Sequence, residues 1–298
     1  MTAKVLFLGG GRRVELAHRF VWSEFEVFGY EFGQQVPLAQ EGYKVISGLR
    51  WDHPDIENDL ARCCRAHGIG LILPLNDQAA AIAPTLHLPS RVVGSLAAQT
   101  CYDKLRFHQF CEEHFAAVYP SPRKGESCIV KPRFGAGSKG IVGPVGFQGW
   151  VPDGMIAQRF IKGLEYTVDC YFNLDGKMIG ASPRLRERVA GGEVLDSVTV
   201  SHPEMMEISQ GLGEALGVRG PVCFQFIADA DGRPWVIECN HRFGGGSTLS
   251  CQAGLNLIGY LKQEYILGQI ITPNCVPVSV NPGYRMRRSY RDHFFLRG

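Results

Sequence analysis

Trp235-Val236-Ile237-Glu238-Cys239-Asn240-His241-Arg242-Phe243-Gly244-Gly245-Gly246 runs from an apolar strand into a triple-glycine loop, with an acid, an amide and an arginine at alternate positions. Side chains alternate across a strand, so Glu238 and Asn240 share one face and Cys239 takes the other. Asp229-Ala230-Asp231-Gly232 just upstream reads as a hairpin turn, and Val222–Ile227 as the partner strand. That hairpin carries Gln225 to the same face as Glu238. One carboxylate and two amide carbonyls are hard oxygen donors, and Mg²⁺ usually takes one or two protein carboxylates together with substrate phosphates. Arg242 would then neutralise phosphate charge beside the metal. Taken alone, the pattern equally describes the polar outer face of an antiparallel hairpin.

Further upstream, Cys128-Ile129-Val130-Lys131-Pro132-Arg133-Phe134-Gly135-Ala136-Gly137-Ser138-Lys139-Gly140-Ile141 is an apolar strand that delivers a lysine into a glycine-rich loop. Glycines let backbone N–H groups converge on phosphate oxygens, and Lys131 adds a point charge for them. The order is not that of a Walker loop, and a plain hairpin with surface lysines fits the same residues. Ile156–Tyr171 reads as strand, short turn, strand. Asp103-Lys104 opens a helix to about His114, with Phe107, Phe110 and Cys111 on one face.

The N-terminal third reads as a doubly wound α/β unit with a parallel sheet: strand Val5–Leu8, a helix with Val14, Ala17 and Val21 on one face, strand Phe25–Glu31, helix Ile56–His67, strand Leu71–Leu75. Gly9 and Gly11 match two glycines of a dinucleotide-binding turn, and Glu31 stands where its ribose-binding acid would be. Val14 occupies the third glycine position, against that reading. Arg12 and Arg13 could hold an anion or be solvated. Asn76-Asp77 could line the crevice at the strand ends or cap the next helix, Gln78–Ile82. The turn-rich stretch Pro84–Pro89 places a boundary near residue 95.

A chain of 298 residues has room for about two domains. Lys+Arg 31 against Asp+Glu 29 gives a net charge of +2, which offers no global argument for a nucleic-acid or membrane surface. No apolar run approaches the roughly 18 residues of a membrane span, and Met1-Thr2-Ala3-Lys4 leads straight into a strand, so a cytoplasmic protein is expected. The ten cysteines lack paired spacings and read as reduced, mostly buried thiols. The basic–aromatic tail Tyr284–Arg291 reads as an edge strand with solvated arginines.

Together these segments resemble the ATP-grasp superfamily, in its carbamoyl-phosphate-synthase-like branch of carboxylate–amine ligases. The resemblance implies a Rossmann-like preATP-grasp domain over 1–95 and an ATP-grasp domain over 96–298, with a small lid subdomain at about 117–160 and a large metal-binding subdomain at about 161–298. It implies ATP and Mg²⁺, as one or two ions with Mn²⁺ able to substitute. Lys104, Lys131, Gly135, Gly137, Ser138, Gly140, Gln158, Phe160, Ile161 and Glu165 fall on the nucleotide positions, and Gln225, Glu238 and Asn240 on the metal positions. Arg242, Arg186 (in Arg184-Leu185-Arg186-Glu187) and Lys131 fall on the catalytic ones. The hinge departs from the family in reading Gln158-Arg159 where Gln-Glu is common. The implied reaction joins a small-molecule carboxylate, amino-acid-like, to an amine through an acylphosphate. The chain is short for a stand-alone ligase of the branch, so a homodimer or a partner protein is expected to supply part of the acceptor site. The residues leave three rivals: a small-molecule kinase on the same fold, a non-catalytic nucleotide-binding subunit, and a nicotinamide oxidoreductase built on Gly9–Glu31.

Overall fold

The structure, a computed structural model, describes residues 2–135, 137–273 and 278–289. Strand β1 (Ala3–Leu8) is apolar on both sides because helices cover both sides of its sheet. Val5 and Phe7 pack on α1 (Val14–Trp22), and Leu6 and Leu8 face α3 (Ile56–His67). The other members are β2 (Phe25–Glu31), β3 (Lys44–Ser47), β4 (Leu71–Pro74) and β5 (Arg91–Val92). All pair in parallel, in the order β3-β2-β1-β4-β5. The short helices α2 (Pro37–Gln40) and α4 (Asp77–Ile82) complete this doubly wound unit. Helix α1 buries Leu16, Ala17 and Phe20, while Val21 is exposed. The apolar stripe expected at Val14, Ala17 and Val21 is therefore rotated, since Leu16 and Phe20 form the i, i+4 pair that fits the sheet.

Helices α5 (Ala97–Tyr102) and α6 (Lys104–His114) lead to a small antiparallel sheet of β6 (Ser127–Pro132), β7 (Val142–Gly146) and β8 (Met155–Arg159), in the order β7-β6-β8. A larger sheet follows: β9 (Leu164–Phe172), β10 (Met178–Ala190), β11 (Glu193–Thr199), β12 (Gly220–Ala228), β13 (Pro234–Asn240), β14 (Val278–Ser279) and β15 (Arg285–Arg287). Its order is β13-β12-β9-β10-β11-β15, with β14 beside β10. Helix α7 (Pro203–Leu216) packs on one face, so Met205 and Leu212 join Val168, Phe172, Val222 and Phe224 in one core. After β13, the helices α8 (Ser247–Gln252) and α9 (Leu257–Leu261) carry Leu255, Leu257 and Leu261 into the core of Val5 and Phe7. That shared core fixes the first sheet against the large one, and the sites lie along the seam.

Nine cysteines are described; all are free, and eight of them are buried. Cys275 lies outside the described residues, as do Ala136, Tyr290 and Arg291. No helix among the described residues is long and apolar enough to cross a membrane.

Candidate active site

Strand β13 is irregular where it matters. Its register against β12 pairs Gln225 with Glu238 and then skips to Phe226 with Val236, leaving Ile237 bulged out of the ladder. A bulge frees backbone groups from the ladder and re-aims side chains. The freed Ile237 carbonyl accepts from Lys131 Nζ and from Gln158 Nε2, both at 3.1 Å. Gln158 also donates to the Tyr119 hydroxyl at 2.6 Å. The bulge thus ties the small sheet to the large one and holds Lys131 beside Glu238. Burial pulls the Lys131 ammonium down to about 8; Glu238 opposes the fall and Lys104 adds to it.

Asp103 caps α6 by accepting from the N–H groups of Leu105 and Arg106, and it also takes a two-point ion pair from Arg133, at 2.7 and 2.6 Å. That clamp sets Lys104 over the glycine loop. Its ammonium donates to the Gly135 carbonyl at 2.7 Å and stands 3.7 Å from a Glu238 oxygen.

Around these groups lies a slot of about 270 Å³. Lys104, Lys131, Gly135, Gly137, Ser138, Gln158, Phe160, Ile161 and Glu165 all line it, as do Gln225 and Glu238. Gly140 does not; it turns at φ +73° against Pro132. Ile129, Ile141, Ile227 and Ile237 make its remaining walls apolar. Arg159 lines the slot, and its guanidinium carbon lies 4.3 Å from the centre of the Trp235 ring. Strands β6 and β7, on either side of the glycine loop, are antiparallel neighbours, and Phe134, Gly135, Gly137, Ser138, Lys139 and Ile141 of the loop wall the slot.

A second chamber of about 530 Å³ opens between the carboxyl ends of the first sheet and the face of the large one. It shares Gly137, Lys139 and Gln225 with the slot. Asp77 lines it and binds Arg242 through two contacts, 2.7 and 2.8 Å, while Asn76 caps α4 by accepting from Ala79. The capping and crevice-lining alternatives thus both hold: Asn76 caps the helix and, like Asp77, lines the chamber. Burial lowers the Arg242 pKa, but Asp77 outweighs it and the guanidinium is held above its ordinary value. Asn240 departs from expectation: it is 4 % exposed, lines neither cavity, and its side-chain oxygen is 3.4 Å from Arg242 Nη2. The bulge at Ile237 does not disturb the alternation beyond it, but Asn240 pairs with Cys223, one step farther in than Gln225.

Arg186 lines the chamber and pairs at 3.1 Å with Glu165, which lines the slot. The pair straddles the junction. Beneath the chamber, Arg184 and Asp169 form an ion pair of 2.8 Å, each side chain 2 % exposed, with Ser250 donating to the same carboxylate. The loop Gly244–Gly246 lies directly on it: a Cβ on Gly246 would come 2.7 Å from Arg184 Nη1, and one on Gly244 2.6 Å from Asp169 Oδ1. These glycines serve close packing over a buried ion pair. In the sequence Arg184 stands out only as the neighbour of Arg186 in the run Arg184-Leu185-Arg186-Glu187.

The Gly9–Gly11 turn holds its own groups. A Cβ on Gly9, at φ +70°, would strike the Asn76 amide at 1.9 Å, and the Gly11 N–H is taken by the Glu31 carboxylate. The space and donor that a pyrophosphate would need are filled. In the tail, β15 pairs with β11, and Arg285 and Arg287 make exposed ion pairs with Glu187 and Asp196. Arg288 differs from the solvated arginine expected, because it reaches the Gly245 carbonyl at 2.7 Å and the wall of the chamber.

Residues 152–290 match a family model described as ATP-grasp in the biosynthetic pathway with Ter operon. Comparison with curated protein sequences gives no match. Among solved structures, the L-amino acid ligase from Bacillus licheniformis superposes with a TM-score of 0.63 at 15% identity, over 90% of this chain and 75% of that one. The biotin carboxylase domain of the Hydrogenobacter thermophilus 2-oxoglutarate carboxylase gives 0.69 at 15%, over 92% and 72%. N5-carboxyaminoimidazole synthetase from Staphylococcus aureus gives 0.66 at 13%, over 94% and 80%. At these identities the likeness establishes the fold, which is the one expected from the sequence. The parallel sheet, the three-stranded sheet and the large antiparallel sheet reproduce the fold of these structures, and the ATP-grasp family model matches a little under half of the chain.

Proposed function

We propose that the chain is an ATP- and Mg²⁺-dependent ligase that joins a small carboxylate to an amine, releasing ADP and phosphate. The observation that carries this reading is the common wall of the two cavities at Gly137, Lys139 and Gln225. A slot with largely apolar walls and three lysines suits a nucleotide, and a chamber walled by arginines suits an anionic substrate. Their meeting point is where a phosphoryl group could pass between them.

Phosphoryl transfer needs mainly alignment and charge stabilisation. In the proposed reaction a substrate carboxylate oxygen attacks the terminal phosphorus of ATP, the bond to ADP breaks, and an acylphosphate forms. An amine then attacks the acyl carbon, phosphate leaves, and the amine gives up a proton. Lys131 and Lys104 hold the phosphates, Phe160 and Ile161 border the base, and Glu165 fixes the ribose end while pairing with Arg186. Arg186 and Arg242 face the charge that develops at the junction. Glu238 and Gln225 stand opposite each other across β12 and β13 and fit a hard cation, which takes its other oxygens from phosphate and water. When bound, the ion offsets phosphate charge. Asn240, turned toward Arg242, does not complete that set. We divide the chain functionally into 1–95, which walls the substrate chamber, and 96–298, which holds the nucleotide, with 117–160 acting as the lid.

Hydroxylamine provides the test. With ATP, Mg²⁺ and a mixture of amino acids, it should intercept the activated acyl group as a hydroxamate. ADP formed on an alcohol substrate with no hydroxamate would instead identify a small-molecule kinase.

A further inference from the structure

Six arginines line the chamber, and five of them have a carboxylate within 4 Å. Arg12 and Arg288 share Glu193, Arg184 has Asp169, Arg186 has Glu165, and Arg242 has Asp77. Arg13 has none among the described residues. Its two terminal nitrogens donate to the carbonyls of Gly244 and Phe243, at 3.1 and 2.9 Å. The chamber's carboxylates show the mirror image. Asp77 and Glu193 are paired with arginines, whereas Glu31 faces no cation within 4 Å among the described residues and accepts only from the Gly11 N–H.

Apart from Lys139, which is exposed and has no carboxylate within 4 Å among the described residues, one cation and one anion in the same chamber are left over, and they do not pair with each other. Backbone groups on opposite walls hold them apart: Glu31 is tied to the glycine turn, and Arg13 to the loop after β13. Both side chains are partly buried, and desolvated charge without a partner is costly, so such an arrangement is expected where a ligand supplies the missing charges. Burial pushes the Glu31 carboxyl up against the Gly11 hydrogen bond, and burial with Arg242 and Arg288 nearby pulls Arg13 down to about 10, a fall that Glu193 only partly opposes.

We infer that the chamber takes a free amino acid as one of its substrates, with the ammonium on Glu31 and the carboxylate on Arg13. This rests on the ligase reading for the purpose of the chamber, but a zwitterion would be recognised there whatever reaction followed. A bare phosphate or a simple carboxylic acid would satisfy Arg13 and leave Glu31 unpaired or repelled; a simple amine would do the reverse.

The experiment measures binding and not turnover. Protein saturated with Mg²⁺ and ADP is mixed with the twenty common amino acids, and ligands are identified by saturation-transfer NMR. Each binder is then compared by calorimetry with its deaminated acid and its decarboxylated amine. Both truncated forms should bind at least about tenfold more weakly, since each forfeits a charge-assisted hydrogen bond. Glu31→Gln still accepts from Gly11, so the turn persists, and it should erase the preference over the deaminated acid alone. Arg13→Gln should erase only the preference over the amine, and Arg13→Lys should restore part of it. Failure of every amino acid to bind, or equal binding of the deaminated acids, overturns the inference. Binding with the expected discrimination but no hydroxamate would retain the zwitterion site and remove the ligase reading.

Discussion

Lys131→Met should make the unliganded protein more stable and unable to hold nucleotide. Lys131 is 7 % exposed, and burial draws its ammonium from an ordinary 10.5 to about 8. That difference corresponds to about 3 kcal/mol of native-state stability forgone at neutral pH, at 1.36 kcal/mol per pH unit. Methionine matches the length of the stem without the charge. The bond lost, to the Ile237 carbonyl, leaves that carbonyl still accepting from Gln158, so no buried acceptor is orphaned. A net gain of about 1–3 kcal/mol would raise the melting temperature by roughly 2–8 °C in a protein of this size. The sign of the pH dependence follows from the lowered pKa. The penalty is fully present below pH 8 and is relieved as pH rises from 8 toward 10.5, so the gap between wild type and variant should close over that window. Nucleotide reverses the ranking. At a hundred times its dissociation constant, Mg-ATP should stabilise the wild type by about 2.7 kcal/mol and the variant by almost nothing. Thermal melts of both proteins, with and without Mg-ATP, measure all of this. A variant that melts lower without ligand, or that keeps the nucleotide shift, refutes the role given to Lys131.

The remaining expectations concern the junction and its roof. Glu238→Gln should fold as the wild type does but lose ADP formation by a hundredfold or more, because a carboxylate is removed from the proposed cation set; an unchanged rate would remove Glu238 from that set. Asp77→Ala leaves the Arg242 guanidinium buried without its ion-pair partner and should cost about 3 kcal/mol in urea unfolding; a change under 1 kcal/mol would mean that the pair does not brace the seam. Gly192 lies so close to the glycine loop proposed as a lid that a Cβ would stand 2.5 Å from the Gly137 Cα, and its φ is +78°. Gly192→Ala should therefore raise the KM for ATP more than it lowers kcat, and an unaltered KM would show that this contact is not needed for closure.

Periodicity made the parallel sheet legible, because a strand covered on both sides must be apolar throughout, as Val5–Leu8 is. The slot proposed for nucleotide was equally legible as a cluster of residues, since those residues sit on strands and on a glycine loop whose spacing survives folding; of the ten named for it, only Gly140 lies off its wall. Three features were hidden. The bulge at Ile237 leaves no mark in an apolar strand, yet it creates the carbonyl that holds Lys131 and Gln158. Asn240 obeys the alternation, but its exposure depends on how deep β13 runs beneath Arg242. The pairing of Arg242 with Asp77 joins residues 165 apart in the chain, and no local pattern announces it. Asp77 could have been sought as an acid following a parallel strand, where α/β sheets place their ligands. The triple glycine 244–246 gave no sign of its part: Gly244 and Gly246 make room for Asp169 and Arg184, side chains whose depth only the assembled sheet reveals.

The central claim is that a carboxylate is activated by phosphorylation at the junction of the two cavities, and oxygen tracing tests it most directly. Amino acids carrying ¹⁸O in their carboxylates are supplied as a mixture with ATP and Mg²⁺, and the released phosphate is examined by mass spectrometry. Passage through an acylphosphate predicts one ¹⁸O in each phosphate released with amide product. Phosphate free of label, with ADP formed at the same rate, would contradict the account.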